Sequence, residues 1–219
     1  MSNIGTLYYL PMRARAEPIR MILFVGNIAY NDVTIAFTEW PKHKASLDIC
    51  PQGQLPTLQL PSGEIIAQSG AILRYVAKIA GFYPSDVLEA ARADVVQELA
   101  QDMNAINALL NFWPTPGETY IQNKEAYFRN FQRCATYAEK LLGENAYFGG
   151  SHPHFGDFSL FHIMDASLSV DSTCLDRSGK LQHWMNEMRN IPRLGAYLQQ
   201  RQQVGDLGMC GSLIQSLVP

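Results

Sequence analysis

Two neighbouring tyrosines and two arginines near the start of the chain could together bind an anion. Tyr8 and Tyr9 lie in a short apolar run, and Arg13 and Arg15 follow it after a proline and a methionine. A phenol hydroxyl and a guanidinium both donate hydrogen bonds, and the guanidinium adds a full positive charge. The same residues also fit an ordinary strand and the solvated start of a helix. This stretch alone therefore leaves both interpretations open.

Length and composition exclude several classes of protein. The chain has 219 residues and a net charge of −3, with 47% hydrophobic and 17% charged residues and a sequence pI of about 5.9. This allows one large domain or two modest ones with a sizeable core. It offers no basic surface for nucleic acid or an anionic membrane. We find no signal-peptide pattern and no apolar run near the roughly 18 residues of a membrane-spanning helix.

The cysteines and histidines predict neither a dithiol centre nor a metal site. The four cysteines are scattered, no Cys-x-x-Cys occurs, and the five histidines lack the spacing of metal ligands. Scattered cysteines of this kind are typical of a reducing compartment. We therefore expect a cytoplasmic protein without a metal.

Hydrophobic periodicity and turn residues predict alternating strands and helices in the first third of the chain. Strands are predicted at 4–10, 29–37, after Pro56 and at 64–67, and helices at 16–24, 40–47 and 69–80. The order β-α-β-α-β-β-α is that of a small thioredoxin-like α/β domain. We expect this domain to span residues 1–81.

The rest of the chain shows only helical patterns. Helices are predicted at 86–112, 123–142, 158–170, 181–190 and 193–202, followed by an apolar, glycine-containing tail at 205–219. We therefore predict an all-helical domain at 86–219, joined to the first by a linker at 81–85. A cleft between two such domains is the default place for a ligand.

Four motifs, in order and at matching spacing, resemble the cytosolic glutathione transferases of the tyrosine type. They are Tyr9-x-Pro-Met-Arg-x-Arg, Trp40, Gly53-Gln54-Leu55-Pro56 and Gln68-Ser69-x-Ala-Ile-Leu-Arg. The resemblance covers nearly the whole chain and is closest to the pi and sigma branches, without deciding between them. It implies a homodimeric detoxification enzyme that joins glutathione to hydrophobic electrophiles. Glutathione is its co-substrate, and no cofactor is implied.

The resemblance also implies which residues contact glutathione. Leu55 precedes a proline that the family holds in the cis form, where a tripeptide can pair like an added strand. The free amides at the start of the helix opened by Gln68 and Ser69 suit the γ-glutamyl carboxylate. The implied glutathione-binding residues are Tyr9, Arg15, Trp40, Lys44, Gln54, Leu55, Pro56, Gln68, Ser69 and Asp102, the last reaching in from the other subunit.

The electrophile is expected beside the sulfur, against apolar residues at the family positions. These residues are Leu10, Pro11, Ala108, Phe112 and Met209. Two positions depart from the family pattern: Ala14 stands where glycine is usual, and His154 stands where Ser or Thr caps the buried helix. By resemblance to the pi branch, we also expect Cys50 to be the most reactive thiol.

The implied chemistry is the activation of a thiol by Tyr9 and Arg15. A cysteine thiol has a reference pKa near 8.5, so only about a few per cent is thiolate at pH 7. A hydrogen bond from a tyrosine hydroxyl, helped by the field of Arg15, would lower that pKa. Consecutive strand residues face opposite sides, so only one of Tyr8 and Tyr9 can reach the sulfur. The family's spacing to the arginines selects Tyr9.

Three alternative functions stay open. The same site could serve a glutathione-dependent isomerase or peroxidase, and the same fold could serve as a non-catalytic, crystallin-like protein. A cysteine-type oxidoreductase of the same superfamily is disfavoured because no cysteine lies in the first strand-to-helix turn. The physiological electrophile is not determined by the sequence.

Overall fold

The structure is a computed structural model that describes residues 3–111 and 118–203, with side chains at 3–104, 118 and 121–201. The chain divides into two compact units, Met1–Tyr83 and Pro84–Pro219. In the described part of the chain, no helix is long and apolar enough to cross a membrane. Nor does that part contain a cluster of His, Cys, Asp or Glu side chains that could hold a metal ion.

The first unit is built on a mixed four-stranded sheet in the order β2-β1-β3-β4. Its strands are β1 (Thr6–Tyr9), β2 (Asn31–Thr34), β3 (Thr57–Gln59) and β4 (Ile65–Ala67), and its helices are α1 (Glu17–Val25), α2 (Trp40–Ser46) and α3 (Ser69–Ala80). Strand β1 is parallel to β2 and antiparallel to β3, and β3 is antiparallel to β4. The predicted thioredoxin-like order of elements is confirmed.

Strand β2 is shorter than the predicted 29–37. It lies at the edge of the sheet, so it pairs on one side only, and its four residues are all exposed. Its pairing with β1 ends where Thr34 lies opposite Tyr9. The apolar residues on either side of the strand, Ile28 and Ile35, are buried without extending the ladder. These two residues are therefore hydrophobic because they are buried, and not because the strand extends to them.

Helices α1 and α3 pack against each other in the first unit. Ile19 and Ile22 of α1 and Val76 of α3 are fully buried, as the helical spacing of apolar residues predicts. The helices come so close at Gly26 that a Cβ there would lie 2.6 Å from the Cβ of Ala80. Because α1 starts directly after a 3₁₀ turn at 14–16, this packing holds the arginine-rich turn at the end of β1.

The second unit is helical throughout its described residues, which confirms the predicted class. Its helices are α4 (Val87–Asn111), α5 (Glu118–Leu142), α6 (Phe155–Val170), α7 (Gly179–Asn190) and α8 (Pro192–Gln203). Helix α6 is almost entirely buried, as its all-round apolar sequence predicts. It packs tightly on α4, since a Cβ at Gly156 would lie 2.6 Å from the carbonyl oxygen of Ala93.

Helix α6 starts at 155 rather than at the predicted 158, and His154 and Asp157 form a capping box at its first turn. Asp157 is fully buried. Its Oδ2 accepts the main-chain N–H of His154 at 2.9 Å. Its Oδ1 accepts the N–H of Phe148 and the indole N–H of Trp184, each at 3.0 Å. The hydrogen bond from the cap residue to the carboxylate of Asp157 is thus present although histidine stands at the cap position.

Candidate functional site

The two neighbouring tyrosines of β1 point to opposite faces of the sheet. Tyr9 lies on the buried face with only 4% of its surface exposed. Tyr8 is half-buried, and its hydroxyl donates to the Oε1 of Gln59 at 3.2 Å. This separation follows from the alternation of side chains along a strand. The hydroxyl of Tyr8 therefore has a structural partner on β3.

The hydroxyl of Tyr9 meets the arginine-rich turn. Its oxygen accepts the main-chain N–H of Arg15 at 3.2 Å. In the part of the chain that the structure describes, the hydroxyl proton of Tyr9 has no acceptor. Burial raises the pKa of Tyr9, while the Arg15 hydrogen bond and the charges of Arg15 and Arg20 act in the opposite direction. The phenol therefore stays protonated at neutral pH and is available as a hydrogen-bond donor.

Ala14 takes a backbone conformation that usually requires glycine. Its φ is +34°, in the left-handed region, and the residue is buried. For a residue with a Cβ, this left-handed backbone conformation is less stable than a right-handed one by about 1 kcal/mol. The turn between the two arginines is therefore present despite the missing glycine, at a cost in backbone energy.

A pocket that is open to solvent lies beside this turn. The residues that line it are Arg15, Gln52, Gln54, Leu55, Pro56, Ala67, Gln68 and Ser69. The Leu55–Pro56 peptide is cis, as the resemblance implies. Across residues 3–111 and 118–203, the main chain of Leu55 makes no hydrogen bond. Its N–H and C=O are therefore available to a ligand.

The pocket is arranged for an anion. The guanidinium of Arg15 is exposed on one side. On the other side α3 begins, and the first hydrogen bond of its ladder runs from Ile72 to the carbonyl of Gln68. The amides of Ser69, Gly70 and Ala71 thus precede the ladder, at the positive end of the helix dipole. A carboxylate is the kind of group that such a site binds.

The remaining predicted glutathione residues lie outside the pocket lining. Trp40 and Lys44 stand one turn apart on α2. The stem of Lys44 lies against Gly53, within 3.6 Å of where a Cβ would be, and so borders the loop that carries Gln54. Asp102 is exposed on α4 in the second unit.

The predicted electrophile wall is only partly described. Leu10 and Pro11 are half-buried directly after β1. Ala108 belongs to α4, but its side chain lies outside the described residues, as do Phe112 and Met209 altogether. The structure therefore places two of these five residues near Tyr9 in sequence and in space.

Two pocket residues were missed by sequence reasoning. Ala67 ends β4, and Gln52 lies in the loop before Gly53. The Nε2 of Gln68 donates to the Oε1 of Gln52 at 2.6 Å, which ties the loop to the start of α3. A neutral glutamine in a loop carries no distinguishing pattern. Its closeness to Gln54 was the only available signal.

The structure argues against Cys50 as an activated thiol. Cys50 is fully buried, and its Sγ donates to the carbonyl oxygen of His43 at 3.3 Å. Burial, with the nearby Asp48 charge, raises the pKa of the Cys50 thiol, and Lys44 opposes this only in part. A buried thiol with a raised pKa is a poor nucleophile. The sequence had placed Cys50 on the rim of the site without showing that it is covered.

Two family models match the chain and together span both units. The model of the glutathione S-transferase N-terminal domain matches residues 4–78, and that of the C-terminal domain matches residues 102–201. The chain belongs to the glutathione S-transferase family. The motif-based resemblance is thus confirmed for the family as a whole.

Named relatives of this transferase chain fall into more than one kind. S-crystallin 4 of Enteroctopus dofleini is 28% identical over 209 residues, which cover 90% of this chain and 96% of the octopus protein. Glutathione S-transferase P of Capra hircus is 28% identical over 206 residues, which cover 91% of this chain and 93% of the goat protein. The solved structure of rat hPGDS complexed with a quinoline superposes with a TM-score of 0.81 at 26% identity, covering 91% of this chain and 97% of that one.

Proposed function

We propose that this transferase binds glutathione, holds its thiol as a thiolate with the hydroxyl of Tyr9, and directs the sulfur at a hydrophobic electrophile. The observation that carries the proposal is the state of the Tyr9 hydroxyl. It is buried, its oxygen already accepts the N–H of Arg15, and its proton has no acceptor among the described residues. A thiolate placed there would accept that proton's hydrogen bond and gain the field of the arginines.

The pocket supports glutathione as the bound thiol. The γ-glutamyl carboxylate fits between the Arg15 guanidinium and the first amides of α3. The unpaired main chain of Leu55 can bond the cysteinyl part as an added strand would. We assign the glycyl end to Trp40 and Lys44 and a further polar contact to Gln54. The domain of residues 1–81 would thus bind glutathione, and the helical domain would supply the electrophile site.

Glutathione is expected to stabilise the fold. A ligand that binds only the folded state, at about a hundredfold its Kd, adds roughly 2.7 kcal/mol to the free energy of unfolding. Urea denaturation with and without millimolar glutathione measures this directly. Arg15→Ala should lose most of the gain, because it removes the cation of the pocket, whereas Tyr9→Phe should keep it. An unchanged denaturation midpoint for the unmodified protein would show that the site assignment is wrong.

We expect a homodimer in which Asp102 of one subunit reaches the glutathione amine in the other. Asp102 is exposed in the single chain, which leaves its carboxylate available. Asp102→Asn is expected to weaken glutathione binding about tenfold, since a hydrogen bond to a charged group contributes roughly 1.5–3 kcal/mol. Light scattering at micromolar concentration gives the mass, and calorimetry gives the affinity. A monomer that binds glutathione normally would rule out this role for Asp102.

A non-catalytic, crystallin-like role is the second candidate, because S-crystallin 4 is among the relatives. The two roles differ in turnover, not in fold. An assay with glutathione and a chlorinated nitrobenzene separates them, and peroxide and isomerase substrates test the remaining activities of the same site. The intact Tyr9 and Arg15 pairing supports the enzyme. Glutathione binding without turnover of any of these substrates would support the crystallin-like role.

A further inference from the structure

We propose that Arg20 is a positioning residue that holds the turn at 12–15 against β1 and so places the amide of Arg15 on the Tyr9 hydroxyl. This inference rests on the proposed function, in which that hydroxyl stabilises the thiolate. Arg20 lies on α1 and lines no part of the pocket beside the turn. Its effect on the reaction would therefore be exerted through the turn.

The guanidinium of Arg20 joins three elements at once. Its Nε and Nη2 donate to the two carboxylate oxygens of Asp32 at 2.7 and 3.3 Å, a bidentate pair with β2. Its Nη1 donates to the main-chain carbonyl of Met12 at 3.0 Å. Only 11% of the Arg20 side chain is exposed. Because Asp32 pairs in register with Leu7 of β1, the turn is tied to the sheet through this one side chain.

The surrounding charges fix Arg20 rather than leaving it to move. The fully buried carboxylate of Glu17 lies 3.7 Å from its Nη1, one turn away on α1. A buried carboxylate requires a cation or donors nearby, so Glu17 and Asp32 together hold the guanidinium in place. Burial raises the pKa of Tyr30, and the nearby charge of Asp32 acts in the same direction. Arg20 stands 5.8 Å from the centre of the Tyr9 ring, within the range of a cation–π contact.

The turn needs such support because of Ala14. Ala14, whose φ is +34°, lies between two hydrogen-bonded groups of the turn. Before it, the carbonyl of Met12 accepts a hydrogen bond from Arg20. After it, the N–H of Arg15 donates to the hydroxyl of Tyr9. Relaxing Ala14 towards a negative φ would rotate the adjoining peptide and move the Arg15 amide off the hydroxyl. The two hydrogen bonds thus bracket the strained residue. The planar guanidinium donates to Asp32 through Nε and Nη2 and to Met12 through Nη1, and the single nitrogen of a lysine cannot reproduce this spacing, so lysine is a poor substitute.

The test uses Arg20→Gln, Arg20→Lys and a control, Lys42→Gln, in the full-length protein. Lys42 carries the same charge in the same unit, is exposed, and lies two residues from both Trp40 and Lys44, on the other side of α2. Two readouts are measured. The first is the pKa of the glutathione-bound thiol from the thiolate absorbance. The second is the hydrogen-exchange rate of the Arg15 amide without glutathione, with Tyr9→Phe as the reference for a lost bond.

Arg20→Gln is expected to raise the bound thiol's pKa by about half to one unit and to speed exchange of the Arg15 amide towards the Tyr9→Phe rate. Arg20→Lys should recover less than half of both effects, and Lys42→Gln should show neither. Adding Ala14→Gly to Arg20→Gln should recover at least half of the thiol shift, because glycine adopts a positive φ without cost. Asp32→Asn, on an exposed edge strand, should reproduce the Arg20→Gln effects in weaker form.

Several results would overturn the proposal. Lower stability of Arg20→Gln in urea with an unchanged thiol pKa and unchanged Arg15 exchange would show a purely structural role. If Arg20→Lys keeps both the thiol pKa and the Arg15 exchange rate of the unmodified protein, only the positive charge of Arg20 matters, not its hydrogen bonds. If adding Ala14→Gly to Arg20→Gln recovers none of the shift in thiol pKa, Arg20 does not act through the turn. If Arg20→Gln does not fold, the Asp32→Asn values decide. Because the exchange readout needs no glutathione, a failure of the proposed function remains distinguishable from a failure of this inference.

Discussion

Tyr9→Phe is expected to raise the pKa of the bound glutathione thiol by about one to two units and to slow conjugation about tenfold or more at neutral pH. The variant keeps the ring in its buried position. It removes only the hydroxyl, whose hydrogen bond to an anion contributes roughly 1.5–3 kcal/mol. Ultraviolet titration of the bound thiolate gives the pKa, and steady-state kinetics give the rate. Glutathione affinity should change little, because Tyr9 is not among the residues that line the pocket beside the turn.

Tyr8→Phe is the matched control for this experiment. The Tyr8 hydroxyl donates to Gln59 on β3, so its loss removes one partly buried hydrogen bond and nothing from the turn. We expect a decrease in stability of about 1 kcal/mol and an unchanged thiol pKa. A raised thiol pKa in Tyr8→Phe, with none in Tyr9→Phe, would reverse the assignment of the two tyrosines.

Asp157→Ala is expected to lower the free energy of unfolding by about 2–4 kcal/mol. The buried carboxylate accepts the N–H groups of His154 and Phe148 and the indole N–H of Trp184. Without it, the buried indole N–H loses its partner at a cost of roughly 1–3 kcal/mol, and the two part-buried main-chain N–H groups lose theirs at a smaller cost. Burial raises the pKa of Asp157 to about 6, so the ionised carboxylate carries a desolvation cost that offsets part of this loss.

Urea denaturation at pH 7 without glutathione measures the effect of Asp157→Ala. The control is Asp176→Ala, which removes an exposed carboxylate from the loop before α7 and should change stability by less than about 0.5 kcal/mol. A loss below 1 kcal/mol in Asp157→Ala would mean that the start of α6 is held by other contacts. His154→Ala should be milder than Asp157→Ala, because the N–H of Asp157 also donates to the main-chain carbonyl of His154 at 3.0 Å, which the substitution leaves in place.

The two departures from the family pattern are compensated in the same way, by a neighbouring charged group. At the start of α6, the carboxylate of Asp157 accepts the main-chain N–H of His154, a hydrogen bond that does not depend on which side chain stands at the cap position. At the turn before α1, the contacts of Arg20 accompany a strained Ala14 where glycine is usual. Each substitution lowers local stability, and nearby hydrogen bonds of the fold offset part of that loss. Neither compensation is visible from the substituted position alone.

The fold class, the order of the elements and the family could be predicted from the sequence alone. These depend on local properties: the period of the apolar residues in α1, α3 and α6, the turn residues between strands, and motifs such as 53–56 and 68–74. Each of these patterns is contained in a short stretch of sequence, so it can be recognised without knowing which distant segments it contacts. They also predicted that the arginine-rich turn, the loop at 53–56 and the start of α3 belong to one site, and the pocket lining brings these three segments together.

Features that depend on contacts between distant segments could not be predicted from the sequence and are defined by the folded chain. It paired Tyr8 with Gln59, Gln52 with Gln68, and Arg20 with Asp32, none of which has a local pattern. It also covered Cys50, which the sequence had placed on the rim of the site. Burial and hydrogen-bond partners are set when separate elements pack, because the neighbours of a side chain come from other parts of the chain. The kinds of residue and their order along the chain therefore identify the candidate reactive groups, while packing decides which of them are available to react.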